Sequence, residues 1–574
     1  MIMQPSRTFI PGKDEALETT LTRLEDTLRQ LGFDLEQRHW LNPVNGAWSV
    51  NLRDRDCPLL FTNGKGRSKK AALASAYGEF FERLGCNYFF ADFYFGEDIA
   101  QADFVHYPEE RWFPAGASLH PELLDDAKLR EFYFPEAHGD VPGLIDLNSG
   151  NADRGICALP LTRVADARTI WFPVNLIGNL YVSNGMSAGN NRFEARVQAL
   201  SEILERAAKF TIIREQICLP DIPEQVIGQF PLIRQGIEEL RASGFGILVK
   251  DASLGGRFPV VNITLLNPRD QGCYASFGAH PRFEIALERA LTELLQGRAL
   301  DKLDGFPPPD LDTEAVSSAQ NLETHFIDSS GVIGWRFLHK QADHEFTPWD
   351  FSGDSETEFN TLCGLIHALG HDIYIADLEH LGVYVCRILV PELSEIYPAD
   401  DLVWENNNEG LVFRERILTL QQLTPGECAA LLDELASGGY DEQYPIAQLI
   451  GIAPEPGTLW EELRLGELKT LLAIRAERTD EILDGCDWLT MFAQINPQRL
   501  QIYRCIAALL QLDEPENYLP GLQKLFDEKT LQSARDLLDH KTPFLGLESP
   551  GTSLKGFELH GKLIQALRKL RAVM

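Results

Sequence analysis

The sequence predicts an α+β fold: a mixed domain of sheet and helix over residues 1–410, followed by an all-α region over residues 411–574. Three observations carry this expectation. Three times the chain runs from a strand-like stretch through a glycine-bearing loop into a helix with polar, mostly acidic residues along one face. Further short apolar runs of strand length surround those blocks. From about residue 413 the texture changes to short amphipathic helices broken by Pro and Gly, as at Thr424-Pro425-Gly426 and Asn496-Pro497.

The 574 residues exceed one ordinary domain. With 44% hydrophobic and 24% charged residues the composition is that of a globular protein. A net charge of −33 disfavours direct binding to a nucleic-acid backbone. No apolar run reaches the roughly eighteen residues of a membrane span, and the N-terminus lacks the apolar core of a signal peptide. The ten cysteines form no C-x-x-C pair, and several sit in apolar runs. That pattern reads as a cytoplasmic protein with reduced thiols and no zinc site.

The first helix is marked by Leu17, Leu21, Leu24, Leu28 and Leu31 at helical spacing, and Gly32 stops it. Lys13 stands near its start, where a cation is misplaced unless an anion is close. Trp48–Arg53 and Pro58–Thr62 read as strands. They lead into a loop of glycines and bases from Asn63 to Lys70, whose spacing is not that of a P-loop. A helix from Lys69 to Leu84 then places Ser75, Glu79, Glu82 and Arg83 on one face. The aromatic stretch Asn87–Phe95 reads as core or a dimer contact, and residues 107–151 as long loops. Leu159–Arg163 and Thr169–Val174 continue the sheet.

The second block takes the apolar run Val174–Val182 as its strand and Ser183–Asn190 as its loop. In the helix that follows, Glu194, Gln198, Glu202 and Glu205 fall at i, i+4, i+8 and i+11, with Arg206 beside them. Phe245–Val249, Val260–Leu266 and Gly272–Gly278 read as strands. The third block is the loop Phe277–Pro281 and a helix from Phe283 to Arg298 carrying Arg289, Glu293 and Gln296 on one face. His280 in that loop reads as an ordinary hydrogen-bonding residue. His367 and His371 lack the glutamate of H-E-x-x-H. Ile373–Ala376 and Val383–Leu389 close the sheet, and Asn406–Gly410 is the expected boundary loop. Beyond it, Leu459–Ala476, Arg499–Leu512 and Leu525–Leu538 have helical periodicity, which fits a bundle or a tetratricopeptide-like stack of helix pairs.

Like charges gathered on one stripe cost stability unless something positive lies against them. Free N–H groups at a helix start favour phosphate. Phosphate beside carboxylates needs a cation between them, and Mg²⁺ is the hard, oxygen-seeking choice.

These blocks resemble the ATP-binding motifs of the YcaO family. The matching pieces are Ser75, Glu79, Glu82 and Arg83; Asn184-Gly185, Gly189-Asn190, Glu194, Glu202, Glu205 and Arg206; and Arg289, Glu293 and Gln296. Phe9-Ile-Pro-Gly-Lys13 and Asn321–Gly331 extend the likeness. The resemblance implies that ATP is bound through Mg²⁺ held by Glu79, Glu82, Glu194, Glu202, Glu205 and Glu293. Arg206 and Arg289 then touch the phosphates, while Lys13, Ser75, Asn190 and Gln198 complete the nucleotide site. Glu202, Glu205, Arg206 and Arg289 are the implied catalytic set. Members of the family activate a backbone amide oxygen by phosphorylation, making heterocycles or thioamides, and commonly pair as homodimers. Those that cyclise peptides end in a proline-rich tail. Here the tail reads Leu-Arg-Lys-Leu-Arg-Ala-Val-Met and the only triple proline, Pro307–Pro309, is internal. That departure fits the branch outside peptide natural-product synthesis. The branch includes a member linked to β-methylthiolation of an aspartate in a small-subunit ribosomal protein, as accessory to the radical methylthiotransferase RimO. Two other roles stand beside it: a backbone-amide cyclodehydratase or thioamide former, and an interaction protein for which ATP is a structural ligand.

Overall fold

The computed structural model describes residues 7–135, 141–147, 149–399, 410–492 and 495–573. Twelve strands among them form three antiparallel sheets. The first holds β1 (Leu35–Val44), β2 (Ala47–Asp54) and β3 (Phe61–Gly66) in that order. The second has the order β4 (Arg111–Phe113), β5 (Ile156–Arg163), β11 (Tyr374–Leu378), β12 (Tyr384–Leu389), β7 (Met186–Gly189), with β6 (Thr169–Pro173) also on β5. The third is β8 (Gly246–Asp251), β9 (Val260–Leu266) and β10 (Cys273–Ala279), with β9 central.

The helices that shape the core are α1 (Leu17–Gln30), α2 (Lys69–Gly85), α3 (Val174–Tyr181), α4 (Arg192–Arg214) and α5 (Phe283–Leu295). Three of them close a ring. Helix α2 packs on its own strands β2 and β3 and on β7 and β12 of the next sheet. Helix α4 packs on β7 and β12 and on β9 and β10; α5 packs on β9 and β10 and returns to β2 and β3. Each strand–helix block thus leans on the sheet of its neighbour, and the polar faces of the three helices meet at the centre.

The glycines of these blocks act differently from the sequence expectation. Gly64, Gly66, Gly189 and Gly278 lie in strands β3, β7 and β10, not in loops. A Cβ on Gly64 would stand 2.0 Å from the Ala72 carbonyl oxygen, on Gly189 2.7 Å from Ala195 N, and on Gly278 2.4 Å from the Ala286 carbonyl oxygen. Their function is to let each helix cross its own strand at close range. The strand expected at Pro58–Thr62 accordingly begins later and runs through the supposed loop.

The run Val174–Val182 is helix α3, not a strand. Residues on all its sides are buried, among them Leu176, Ile177, Leu180 and Tyr181. A short run enclosed all round carries no periodicity to separate the two forms. The end of α3 is capped by buried Arg387, which donates to the Val182 oxygen at 2.8 Å and the Ile177 oxygen at 3.2 Å. Such a cation suits the negative end of a helix.

The described residues of 410–492 and 495–573 are helices and short connections, including α6 (Pro425–Ser437), α7 (Leu465–Arg475), α8 (Thr479–Phe492), α9 (Pro497–Gln511), α10 (Glu528–Leu538) and α11 (Glu558–Arg571). Successive members pack on one another around their own core. The stretch expected as one helix over 459–476 is two, Leu459–Glu462 and α7, with Leu463 and Arg464 extended between them. The last helix departs from this division. Leu563, Ile564, Leu567 and Leu570 of α11 are buried in the core of the first sheet and α1. The aromatic stretch Asn87–Phe95 forms the reciprocal link: Tyr94 is buried in the helical core, its N–H donating to the Gly451 oxygen at 2.8 Å. Asn406 to Glu409 of the expected boundary loop lie outside the described residues. Among the described residues no helix is long and apolar enough to cross a membrane.

Candidate functional site

A cleft of about 440 Å³ opens where the three helix faces meet. Helix α2 contributes Ser75, Glu79, Glu82 and Arg83; α4 contributes Glu194, Gln198, Glu202 and Arg206; α5 contributes Glu288, Arg289, Thr292 and Glu293. The segment before α1 adds Lys13, and β7 runs into it at Asn190. Of the residues that the resemblance gave a binding or catalytic role, all but Glu205 line this one cleft. Glu205 turns toward β10 and accepts the Ala279 N–H at 3.0 Å.

Glu194 is the anion that Lys13 lacked. It is 4% exposed and sits within the first turn of α4, where a carboxylate is favoured. Its oxygens accept from Lys13 Nζ at 3.0 Å, Asp14 N at 3.1 Å and Asn190 Nδ2 at 2.9 Å. Burial works against its charge, but Lys13, Asn190 and the Asp14 N–H outweigh burial and hold its pKa below the ordinary value. Asn190 is itself fixed, since its Oδ1 accepts from Thr20 Oγ1 at 2.9 Å and Arg23 Nη2 at 2.8 Å.

The other carboxylates of the cleft are also countered by bases. Glu202 contacts Arg206, and Glu293 contacts Lys65. Arg83 lies 3.4 Å from Glu79 and 3.9 Å from Glu82. Arg206 donates to Asn184 Oδ1 at 3.0 Å; Arg289 holds the Ala279 oxygen at 2.8 Å and contacts Gln198. Among the described residues no three acidic, histidine or cysteine side chains already stand together as a metal cage. A cation bound here would compete with these lysine and arginine partners for the glutamates.

The donor set suits Mg²⁺. It is all oxygen, and it is electrostatically short of positive charge at Glu82. Burial pushes the Glu82 pKa well above the ordinary carboxylate value. Arg83 pulls it back, and the carboxylates of Glu202 and Glu79 push it further up. Arg83 Nη1 is buried without a hydrogen-bond partner, a donor that an anionic oxygen in the cleft would satisfy. A hard divalent cation beside Glu79, Glu82 and Glu202 would offset the cost of charge buried at Glu82.

The sequence reads His280 as an ordinary hydrogen-bonding residue and gives no role to Glu288. His280 is 5% exposed, and its Nδ1 accepts the Arg282 N–H at 3.0 Å. Burial, then Arg289, Lys13 and Arg282, drive its pKa well down. A neutral ring in that arrangement carries its proton on Nε2, beside Gly12 at the cleft wall. Gly12 lies at φ +73°, so the turn before α1 that brings Lys13 in depends on a glycine. Glu288 repeats the helical spacing of Glu284 and faces Arg67 at 3.7 Å; the one-face reading of α5 had stopped at Arg289. Neither His367 nor His371 lines the cleft, the second standing 3.4 Å from Glu392. The ten cysteines are all free and buried.

A family model described as YcaO cyclodehydratase, ATP- and Mg²⁺-binding, matches residues 63–394, and one described as YcaO cyclodehydratase C-terminal domain matches residues 410–574. The chain is 48% identical over 576 residues to the ribosomal protein S12 methylthiotransferase accessory factor YcaO of Escherichia coli, covering 99% of this chain and 98% of that one. It is 46% identical to an uncharacterized protein of Haemophilus influenzae, covering 98% of both chains. A solved YcaO from Methanopyrus kandleri, bound with AMPPCP and Mg²⁺, overlays with a TM-score of 0.43 and 18% identity, over 68% of this chain and 95% of that one.

Proposed function

Because the chain belongs to the YcaO family, whose ATP- and Mg²⁺-binding domain it carries, we propose that it hydrolyses ATP in the central cleft as an accessory to RimO-dependent β-methylthiolation of an aspartate in ribosomal protein S12. The printed description of the E. coli relative motivates the physiological role. The convergence of three helix faces on one acidic cleft is the observation that carries the chemistry.

In this reading Glu79, Glu82 and Glu202 would hold Mg²⁺ with Glu293 beside them, while Glu205 braces β10 behind the cleft. Bound Mg-ATP supplies an activated phosphoryl group for an amide oxygen. Arg206 and Arg289 face the phosphates; their guanidinium groups are held by Asn184 and the Ala279 oxygen, so they are oriented in advance. Charge developing during phosphoryl transfer is met by fixed cations rather than by reorganising water. Glu194 anchors Lys13 and Asn190 at the mouth, and Ser75 and Gln198 complete the wall.

A cytoplasmic homodimer, a division near residue 410, and a tetratricopeptide-like use of the helical region as the partner-binding part belong to the same proposal. A backbone-amide cyclodehydratase or thioamide former is the alternative that the same cleft serves. Deleting the gene in its host and weighing S12 tests the role: loss or depletion of the methylthio mass increment is expected. A full increment in the deletion strain contradicts it.

A further inference from the structure

The cleft is not isolated. Strand β3 alternates sides, so Thr62, Gly64 and Gly66 face α2, where Thr62 Oγ1 donates to the Ala76 oxygen at 2.8 Å. Phe61, Asn63 and Lys65 therefore share the opposite face. Their partners on β2 are Arg53, Asn51 and Ser49, and beyond these on β1 stand Glu36, Arg38 and Leu41. This face holds an open groove of about 450 Å³, and Asn63 lines both the groove and the nucleotide cleft. At the junction the end of α5 closes down on the sheet: Gly297 N donates to Ser49 Oγ at 3.1 Å, Gln296 contacts the Asn63 oxygen, and Lys65 contacts Glu293. At the far end Phe61 is 48% exposed.

Resting on the reading above, we propose that this face is the acceptor groove. It would take an extended polypeptide segment of S12, laid along the row Phe61–Asn63 and delivered to the Lys65–Glu293 end of the cleft. The chemistry of the face selects a peptide. Asn51 Nδ2 donates to Asn63 Oδ1 at 3.0 Å, so the floor offers both amide donors and amide acceptors, as a peptide backbone requires. Arg53 pairs with Glu36 at 2.9 Å and Arg38 shares that carboxylate at 3.6 Å, so the charge on the floor is partly neutralised within the sheet. Arg53 Nε is buried with no partner, which leaves a donor for a main-chain carbonyl. Exposed Phe61 provides an apolar foothold at the entrance. Continuity with the cleft through Asn63 fixes the direction of approach.

The test uses the full-length protein and purified S12. Asn51→Trp fills the groove and Phe61→Asp removes its foothold; neither residue belongs to the nucleotide site. Both variants should bind Mg-AMPPCP within twofold of the unsubstituted protein, while S12-stimulated ATP turnover falls at least tenfold. Benzoylphenylalanine placed at position 61 should crosslink to an S12 peptide when Mg-AMPPCP is present. Undiminished stimulation in both variants overturns the groove alone, as does a crosslink only to a second copy of the chain. An unsubstituted protein that S12 does not stimulate overturns the S12 reading and the groove with it.

Discussion

Replacing Glu194 by Ala removes the one anion that ties three separate elements together at the cleft mouth. Lys13 Nζ, Asp14 N and Asn190 Nδ2 lose their acceptor at once. A hydrogen bond to a charged acceptor nets about 1.5–3 kcal/mol, but Lys13 is 35% exposed and regains water when freed. Asp14 is exposed as well, so the main loss falls on half-buried Asn190 and the cost should be about 1.5–3 kcal/mol. Glu194→Gln keeps the shape and loses the charge, for about 1–3 kcal/mol. The sign with pH follows from the depressed pKa. Stability from Glu194 is fully present above the ordinary carboxylate value and is lost as pH falls through the lower value in the folded protein. Acid destabilisation below about pH 5 should therefore be shallower in Glu194→Gln. Chemical unfolding with calorimetry of Mg-AMPPCP binding measures both effects, and affinity should fall at least tenfold as Lys13 and Asn190 come loose. A Glu194→Ala protein within about 0.5 kcal/mol of the unsubstituted one would refute the anchoring argument.

Two further outcomes are expected. Burial pushes the Glu395 carboxyl up to about 7, against the hydrogen bond from Tyr181 Oη at 2.6 Å. Its stabilising proton is present below the unfolded value and lost as pH rises through about 7, so Glu395→Gln should be about 2–3 kcal/mol more stable at pH 8 and no different at pH 4; equal unfolding midpoints at pH 8 contradict this. Gly278→Val should destabilise by at least about 3 kcal/mol and abolish nucleotide binding, because its Cβ would meet α5 backbone at 2.4 Å; a well-folded variant with intact affinity would show that close crossing is unnecessary.

The helix faces were legible because a 3.6-residue period forces Glu194, Gln198 and Glu202 to one side whatever they touch. The same logic placed Ser75, Glu79 and Glu82. It also put Glu205 on that face, but Glu205 sits where the stripe drifts from the cleft toward β10. Strand limits were less legible. Asn63-Gly64-Lys65-Gly66 looks like a turn by composition, yet tertiary crossing of α2 demands those glycines inside β3. Nor could the pattern show what each carboxylate pairs with. Lys13 and Glu194 are 181 positions apart, and Lys65 and Glu293 meet only because α5 returns to the first sheet. The burial of α11 in the first core was equally hidden, since an amphipathic stripe does not name the surface it will cover.

The central claim is that carboxylates from different helices jointly hold the cation through which ATP binds. Calorimetric titration of Mg-AMPPCP into Glu82→Gln and Glu202→Gln, each compared with the unsubstituted protein and repeated without Mg²⁺, tests it most directly. The account predicts tight binding only in the unsubstituted protein with Mg²⁺, and at least a hundredfold loss in both variants with unchanged folding. Unaltered affinity in both variants, or equal affinity with and without Mg²⁺, contradicts it.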